Sequence, residues 1–95
     1  MPTSRKRVTA RFDGHVQGVG FRFTTLELAK GLDITGYVMN QPDGSVELVA
    51  EGDEASLHTL LRRISGSQVG RFITSEKVFW STGSGAWETF DVRYM

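Results

Sequence analysis

The sequence predicts an α+β sandwich in which two helices pack on one face of an antiparallel sheet of four to five strands. Apolar and polar residues alternate in several short segments, a pattern typical of strands with one buried face. Two longer segments instead carry apolar residues at helical spacing. Each predicted helix has a single apolar stripe, and a two-layer arrangement buries both stripes against the sheet. The predicted element order is βαββαβ with one additional strand.

The first strand and the first helix are separated by a glycine-rich loop. Val8, Ala10 and Phe12 alternate with polar residues and predict a strand that ends at Gly14. Residues 21–32 follow the loop and have the apolar spacing of a helix.

A β-hairpin and the second helix follow. Residues 34–39 and 45–51 predict the two strands of the hairpin. The segment Gln41-Pro42-Asp43-Gly44 between them is interpreted as a turn, because proline presets φ and glycine tolerates a positive φ. An apolar stripe through residues 57–64 then predicts a second helix that ends at Gly66.

The remainder of the chain predicts two more strands. Residues 69–81 and 87–94 are rich in β-branched and aromatic residues, which favour strands. We expect Phe79, Trp80 and Trp87 to lie in the core, and an exposed aromatic patch is the alternative.

Composition limits the organisation and the classes of function. The 95 residues, 39% of them hydrophobic, suit one domain, assigned to residues 8–95 behind a flexible segment, residues 1–7. The eleven basic and eleven acidic residues cancel, so the chain lacks the overall positive charge of a general nucleic-acid or anionic-membrane binder. The basic run Arg5-Lys6-Arg7 is interpreted as a solvated chain end rather than a nucleic-acid arm.

Further function classes are excluded by what the sequence lacks. It has no cysteine, which rules out a disulfide framework, a thiolate nucleophile and sulfur-ligated zinc. No long apolar run follows the polar N-terminal segment, so we predict neither a secretory signal nor a membrane span. No carboxylate cluster is evident that would predict a metal site. We therefore expect a cytoplasmic monomer without a cofactor, a metal, a nucleic-acid partner or a membrane partner.

The loop from Gly14 to Arg22 is the first segment that points to chemistry. Gly14, Gly18 and Gly20 allow the backbone to turn its amide hydrogens inward and form an anion cradle. The loop directly precedes a helix, whose unpaired amides and positive dipole end favour an anion at the same place. Arg22 lies in the first helical turn and can bind a phosphate bidentately. The alternative is that the glycines only turn the chain and that Arg22 is a solvated surface cation.

Asn40 is the second candidate, because it follows the second strand directly. In isolation it would be a turn residue. A right-handed crossover through the first helix, however, makes the first two strands parallel, so their carboxyl ends share one edge of the sheet. We therefore expect Asn40 to meet the glycine loop. If the third strand lies between the first two, the gap is two strand spacings, roughly 10 Å. That gap suits one phosphate and one water.

These two segments resemble the signatures of the acylphosphatase family. The loop reads Gly14-His-Val-Gln-Gly-Val-Gly-Phe-Arg22 and agrees with the family's Gly-x-Val-Gln-Gly-Val-x-Phe-Arg at every specified position. The segment Gly36-Tyr-Val-Met-Asn40, with Gly44, Val46 and Gly52 after it, is similar to the family's Gly-aromatic-Val-x-Asn pattern and the glycine, valine and glycine that follow it.

The resemblance covers residues 8–94 and implies a ferredoxin-like fold, hydrolysis of acyl phosphates and a specific site. It implies that Arg22 and the loop amides bind the phosphate and that Asn40 orients the attacking water. The loop positions that it implies are His15, Val16, Gln17, Gly18, Val19 and Gly20. The His15 side chain receives no role, because the family varies there, and no metal ligand is implied.

The leaving group explains why so few side chains are sufficient. An acyl phosphate leaves as a carboxylate, whose conjugate acid has a pKa of about 4, so no general acid is needed at neutral pH. Positioning and electrostatic stabilisation of the phosphoryl group remain. We therefore expect selectivity for anhydrides over phosphate monoesters, whose alkoxide leaving group requires a proton.

Two other readings stay open at this point. The first is a ferredoxin-like module that presents aromatic residues to single-stranded RNA or binds another anion without catalysis. The second is an accessory domain that handles carbamoyl phosphate, as in larger maturation enzymes whose amino-terminal part resembles an acylphosphatase. We favour a free-standing hydrolase over both.

Overall fold

A computed structural model describes residues 5–94 and confirms the predicted order of elements. The strands are β1 (Lys6–Gly14), β2 (Ile34–Asn40), β3 (Val46–Gly52), β4 (Ile73–Thr82) and β5 (Phe90–Arg93). The helices are α1 (Phe21–Ala29) and α2 (Glu54–Ser65), and a 3-10 helix spans Gln68–Phe72. The predicted α+β sandwich is confirmed, with five strands in one sheet.

The sheet has the strand order β4-β1-β3-β2-β5. β3 is antiparallel to β1 and to β2, so β1 and β2 run in the same direction, as predicted, and β3 lies between them. β5 pairs parallel with β2, so the prediction of a wholly antiparallel sheet is wrong at this pair. The cause is the direction of β4, which is antiparallel to β1. Because the chain reverses after β4, β5 runs in the direction of β1 and β2.

The core lies between the sheet and the helices. Its fully buried strand residues include Val8, Ala10, Phe12, Val46, Leu48 and Ala50. Its helical residues include Phe21, Leu57, Leu60 and Ile64. The ring of Phe12 packs on the ring of Phe21, with centroids 5.1 Å apart. The alternation predicted for the first and third strands is therefore confirmed on the helix-covered face.

The start of β1 differs from the prediction. The strand begins at Lys6, inside the segment predicted to be flexible. The reason is that the guanidinium of Arg7 lies 2.6 Å from the buried carboxylate of Glu51, and Gly83 donates its amide to the Arg5 carbonyl. Residues 1–4 of the predicted flexible segment lie outside the described residues.

The end of the chain also contains less strand than predicted. Residues that were assigned to a strand before Ile73 form the 3-10 helix instead. Gly70 passes so close to the end of α2 that a Cβ atom there would lie 2.1 Å from the Ser65 carbonyl oxygen. The chain must therefore turn tightly off α2 before it can extend, and β5 is limited to four residues.

The prediction that the late aromatic residues are core is wrong for Phe79 and Trp80. Their side chains are 66% and 39% exposed. Phe79 pairs with Thr9 on the face of the sheet that the helices leave open, whereas Trp80 pairs with the buried Val8 and lies on the helix-covered face at the edge strand β4. Trp80 contacts the exposed His58 ring of α2, with centroids 4.7 Å apart. Trp87 is half-buried and packs edge-on against Tyr37 on the face of the sheet that the helices leave open.

Candidate active site

The loop after β1 and the end of β2 meet at one edge of the sheet, because the two strands are parallel. A cavity of about 140 Å³ lies at this edge. Its lining residues are Val16, Gly18, Gly20, Phe21, Arg22, Phe23 and Asn40. Arg22 and Asn40, the two side chains that the sequence indicates, therefore line the same cavity although they are on different elements.

The loop enters this cavity from a tight anchor at the end of β1. Gly14 has a φ of 130°, and a Cβ atom there would lie 2.1 Å from the Phe72 carbonyl oxygen. That same oxygen accepts the amide of His15 at 3.1 Å. The His15 amide is therefore already engaged, and the His15 side chain is exposed and does not line the cavity.

The amides that follow His15 are in a different situation. Gly18 and Gly20 have φ values of 79° and 78°, which turn the backbone in a way that side-chain-bearing residues rarely adopt. Helix α1 begins after Gly20 without a side-chain cap, and its first hydrogen bond runs from the Thr24 amide to the Gly20 carbonyl at 2.9 Å. Residues 17–20 form a turn, and the hydrogen bonds found within residues 5–94 include none that the amides of residues 16–23 donate. Such a run of free donors at a helix start favours an anion.

Gln17 connects the loop to the β2–β3 hairpin. Its Nε2 donates to the Gln41 carbonyl at 2.8 Å and to the Ser45 carbonyl at 2.9 Å. Those two carbonyls belong to the turn that directly follows Asn40. The Gln17 side chain therefore fixes the distance between the amide loop and Asn40 rather than pointing at the cavity.

The hairpin turn is itself well fixed. Asp43 accepts from the Ser45 hydroxyl at 2.6 Å and from the Ser45 amide at 2.9 Å, and Arg11 lies 2.8 Å from its other oxygen. These hydrogen bonds from Ser45, followed by the charge of Arg11, lower the pKa of the Asp43 carboxyl. The ionised carboxylate stabilises the hairpin turn, and the turn fixes the position of the last residue of β2.

Arg22 is half-buried at the cavity, and its guanidinium lies over the ring of Tyr94, 4.8 Å from the centroid. No carboxylate among residues 5–94 lies within ion-pair distance of it. Sequence reasoning missed Tyr94 as a neighbour of the site. The missing signal was the direction of β5, which is parallel to β2 and therefore brings the residue after it to the same edge.

Asn40 is the last residue of β2 and pairs with Val46 across the hairpin. Its side chain is half-buried, and none of the hydrogen bonds found in the described part of the chain uses its carboxamide. The group is thus available to a molecule in the cavity, where it can both donate and accept.

Other features of the surface lack these properties. A wider depression of about 380 Å³ lies beside Trp80, His58 and Lys6, but neither Arg22 nor Asn40 lines it. Among residues 5–94 there is no group of three or more histidine, aspartate or glutamate residues that could hold a metal ion. Neither α1 nor α2 has the length and apolar content to cross a bilayer, and residues 5–94 form no other α-helix.

Fold and cavity together define a ferredoxin-like sandwich with a cavity at the carboxyl ends of two parallel strands. The chain belongs to the acylphosphatase family, whose sequence profile matches residues 8–92. An acylphosphatase of Salinibacter ruber is 46% identical over 91 residues, which cover 95% of each chain. As a member of this family, the chain is an enzyme that hydrolyses acyl phosphates.

Solved structures agree with the family and the fold. The crystal structure of acylphosphatase from Bacillus subtilis matches with a TM-score of 0.83 and 33% identity, over 94% of this chain and 99% of that one. The crystal structure of full-length HypF in the phosphate- and nucleotide-bound form matches with a TM-score of 0.86 over 98% of this chain and 12% of that one. At 21% identity, the likeness to HypF shows the fold alone.

Proposed function

We propose that Arg22 and the amides of residues 16–20 bind the phosphoryl group of an acyl phosphate and that Asn40 orients the attacking water. The observation that carries this proposal is that Arg22 and Asn40 line one cavity together with Gly18 and Gly20. The proposed cradle contains fewer amides than the loop that the sequence indicated. The His15 amide is left out because it donates to the Phe72 carbonyl. The first amides of α1 extend the cradle on the side of the helix.

The proposed groups match the charge that develops during phosphoryl transfer. The oxygen of water attacks phosphorus while the bond between phosphorus and the acyl oxygen breaks, and negative charge spreads over the phosphoryl oxygens. A guanidinium can bind two of these oxygens at once, and backbone amides can bind the others without reorganisation. The acyl group leaves as a carboxylate, and the proton of the water passes to phosphate or solvent. No side chain has to act as an acid.

Asn40 is proposed to hold the water because its carboxamide is polar but does not titrate. It can accept a hydrogen bond from the water and donate another to a phosphoryl oxygen, which fixes the direction of attack. A water held in line needs little activation when the leaving group is as good as a carboxylate.

We also propose that turnover is independent of metal ions. In the described part of the chain, the residues that line the cavity include one cation and no carboxylate. This set of donors suits an anion, whereas hard divalent cations take oxygen ligands such as carboxylates. We expect unchanged hydrolysis of benzoyl phosphate in EDTA, and a loss that magnesium restores would contradict this.

The RNA-binding reading is less well supported than hydrolysis. The face of the sheet that the helices leave open is partly covered by the segment between β4 and β5, where Trp87 packs on Tyr37. The net charge of the chain is zero, which disfavours binding to a phosphate backbone.

A monomeric state and a cytoplasmic location remain our proposals, and size-exclusion chromatography with light scattering tests the first.

The role of Asn40 is tested by Asn40→Ala with benzoyl phosphate as substrate. We expect kcat to fall by about 10²-fold, because the water loses its fixed direction, while the inhibition constant of inorganic phosphate changes little. Gln68→Ala removes an exposed amide side chain that does not line the cavity and serves as the control. If kcat and the affinity for inorganic phosphate fell by the same factor, Asn40 would be assigned to phosphate binding instead.

A further inference from the structure

We propose that the ring of Phe23 binds the acyl group, so that acyl phosphates with aromatic or other apolar acyl groups are the preferred substrates. This inference rests on the proposed phosphate cradle and extends it to the other half of the substrate. The cavity lining, the exposure of large apolar side chains and the distribution of charge each contribute to the argument.

The start of α1 points three consecutive side chains to three different surroundings. Phe21 is 2% exposed and packs in the core against Phe12. Arg22 is half-buried and lies over Tyr94. Phe23 lines the cavity as well but is 57% exposed, so most of its ring faces solvent at the rim. The chain therefore places an aromatic face directly beside the residue proposed to bind phosphate.

The cavity is too small to hold the acyl group together with the phosphoryl group, so the acyl group lies at this rim. The volume of about 140 Å³ suits a phosphoryl group and a water, which itself occupies about 30 Å³ in the liquid. The acyl group must then extend out of the cradle and contact whatever borders it. Phe23 is the exposed large apolar residue in the cavity lining, because Val16 and Phe21 are buried.

The distribution of exposed aromatic residues supports a binding role rather than chance. The described residues have four exposed large hydrophobic side chains, Phe23, Phe79, Trp80 and Tyr94. Phe79 and Trp80 belong to the edge strand β4, where Phe79 lies on the open face of the sheet and Trp80 lies at the margin of the helix-covered face. Phe23 and Tyr94 both lie beside Arg22, at the edge where the substrate is proposed to bind. Apolar surface next to a polar site is typical of ligand recognition.

Charge at the rim favours a neutral acyl group. Arg22 is the single charged residue among those that line the cavity, and the proposed cradle uses it for the phosphate. An acyl group with its own carboxylate or phosphate would find no second cation in that lining. A benzoyl or alkanoyl group can instead bury apolar surface against Phe23.

The experiment compares kcat/KM for benzoyl phosphate and acetyl phosphate in the wild type, Phe23→Leu and Phe23→Ala. We expect the ratio of benzoyl to acetyl to fall about fivefold in Phe23→Ala, with Phe23→Leu between the two, because a lost aromatic contact weakens only the larger acyl group. Phe79→Ala changes another exposed phenylalanine, on β4, and is expected to leave the ratio unchanged. The inhibition constant of inorganic phosphate should remain within about twofold in all variants, which shows that the cradle is intact.

The outcomes separate this inference from the proposed function. A wild type that hydrolyses both substrates, combined with an unchanged ratio in Phe23→Ala, overturns the acyl-binding role alone. An equal loss on both substrates also overturns it, because Phe23 would then act on the phosphate or on the fold. A wild type that hydrolyses neither substrate overturns the proposed function itself.

Discussion

Two places in this molecule bring an arginine together with the amides of a glycine-containing loop. One is the cavity at Arg22. The other is the carboxylate of Glu51, which points from β3 to the open face of the sheet and is fully buried. Glu51 accepts from the Ser84 amide at 2.9 Å, from the Gly85 amide at 2.8 Å and from Arg7 Nε at 2.7 Å.

The difference between the two places is the source of the anion. At Glu51 the chain supplies its own carboxylate, and the contacts tie the segment between β4 and β5 onto the sheet. At Arg22, the hydrogen bonds found within residues 5–94 include none that the amides of residues 16–23 donate. The same kind of donor set is therefore structural where its anion is internal, and we propose that it binds an anion from solution where the chain supplies none.

The carboxyl of Glu51 shows how strongly such donors favour an anion. Burial raises the pKa of Glu51, but the amides of Ser84 and Gly85 and then the guanidinium of Arg7 outweigh this effect and lower the pKa to about 2. Hydrogen bonds to the charged form thus dominate over desolvation. We expect a phosphoryl group at the Arg22 cavity to be stabilised by the same balance.

The largest expected effect separates the two arginines. Arg22→Ala should lower kcat/KM for benzoyl phosphate by about 10³-fold and change the free energy of unfolding by less than about 1 kcal/mol, because Arg22 makes no ion pair within residues 5–94. Arg7→Ala should do the opposite. It should destabilise the fold by about 2 kcal/mol, since Glu51 loses its charged partner, and leave kcat/KM within about twofold.

Urea unfolding and steady-state kinetics on both variants check this reversal. Arg22→Lys serves as a further comparison and should recover only a small part of the activity, because a lysine cannot bind two phosphoryl oxygens in a planar fork. Similar losses of stability in Arg22→Ala and Arg7→Ala would show that the two donor sets do not differ in kind.

The second prediction concerns the pH dependence of stability. The folded-state pKa of Glu51 lies at about 2, below its ordinary value of 4.5, so its contribution is complete above about pH 4.5 and is lost as the pH falls towards 2. Glu51→Gln should be less stable than the wild type by about 2 kcal/mol at neutral pH, because charged hydrogen bonds are lost. The difference should shrink between pH 4.5 and 2.

Denaturant unfolding at several pH values measures this difference directly. Asp43 and Asp53 also have lowered pKa values and are present in both proteins, so subtraction removes their contribution. A constant difference down to pH 2 would mean that the carboxylate charge of Glu51 is not what stabilises the loop.

A smaller effect is expected at the link between loop and hairpin. Gln17→Ala removes the two hydrogen bonds to the Gln41 and Ser45 carbonyls, which hold the amide loop at a fixed distance from Asn40. We expect kcat to fall about tenfold because the water and the phosphoryl group lose their relative position. Kinetics and phosphate inhibition measure this, and a change in phosphate affinity alone would place Gln17 in binding rather than positioning.

The elements of the site follow from local patterns, and this is why the sequence predicted them. The alternation in β1 and β3, the glycine loop before α1 and the turn after β2 are each set within about ten residues. The right-handed crossover then brings Arg22 and Asn40 to one edge, which the cavity shows.

What the sequence could not show depends on distant parts of the chain. Glu51 occupies the polar side of an alternating strand, and its burial results from Ser84 and Gly85, more than thirty residues later. The exposure of Phe79 and Trp80 depends on β4 being at the edge of the sheet. The contact between Tyr94 and Arg22 depends on the parallel direction of β5, which no local pattern specifies.

The most direct test of the central claim is a titration of the ¹⁵N-labelled protein with inorganic phosphate, followed by amide chemical shifts. We predict saturable shifts at the amides of residues 16–20 and at Arg22 Nε, with Ser84 and Gly85 unchanged because Glu51 already occupies their donors. Saturation without movement of residues 16–20, or with equal movement at Ser84 and Gly85, would contradict the claim that the Arg22 cavity is where the chain leaves room for an external anion.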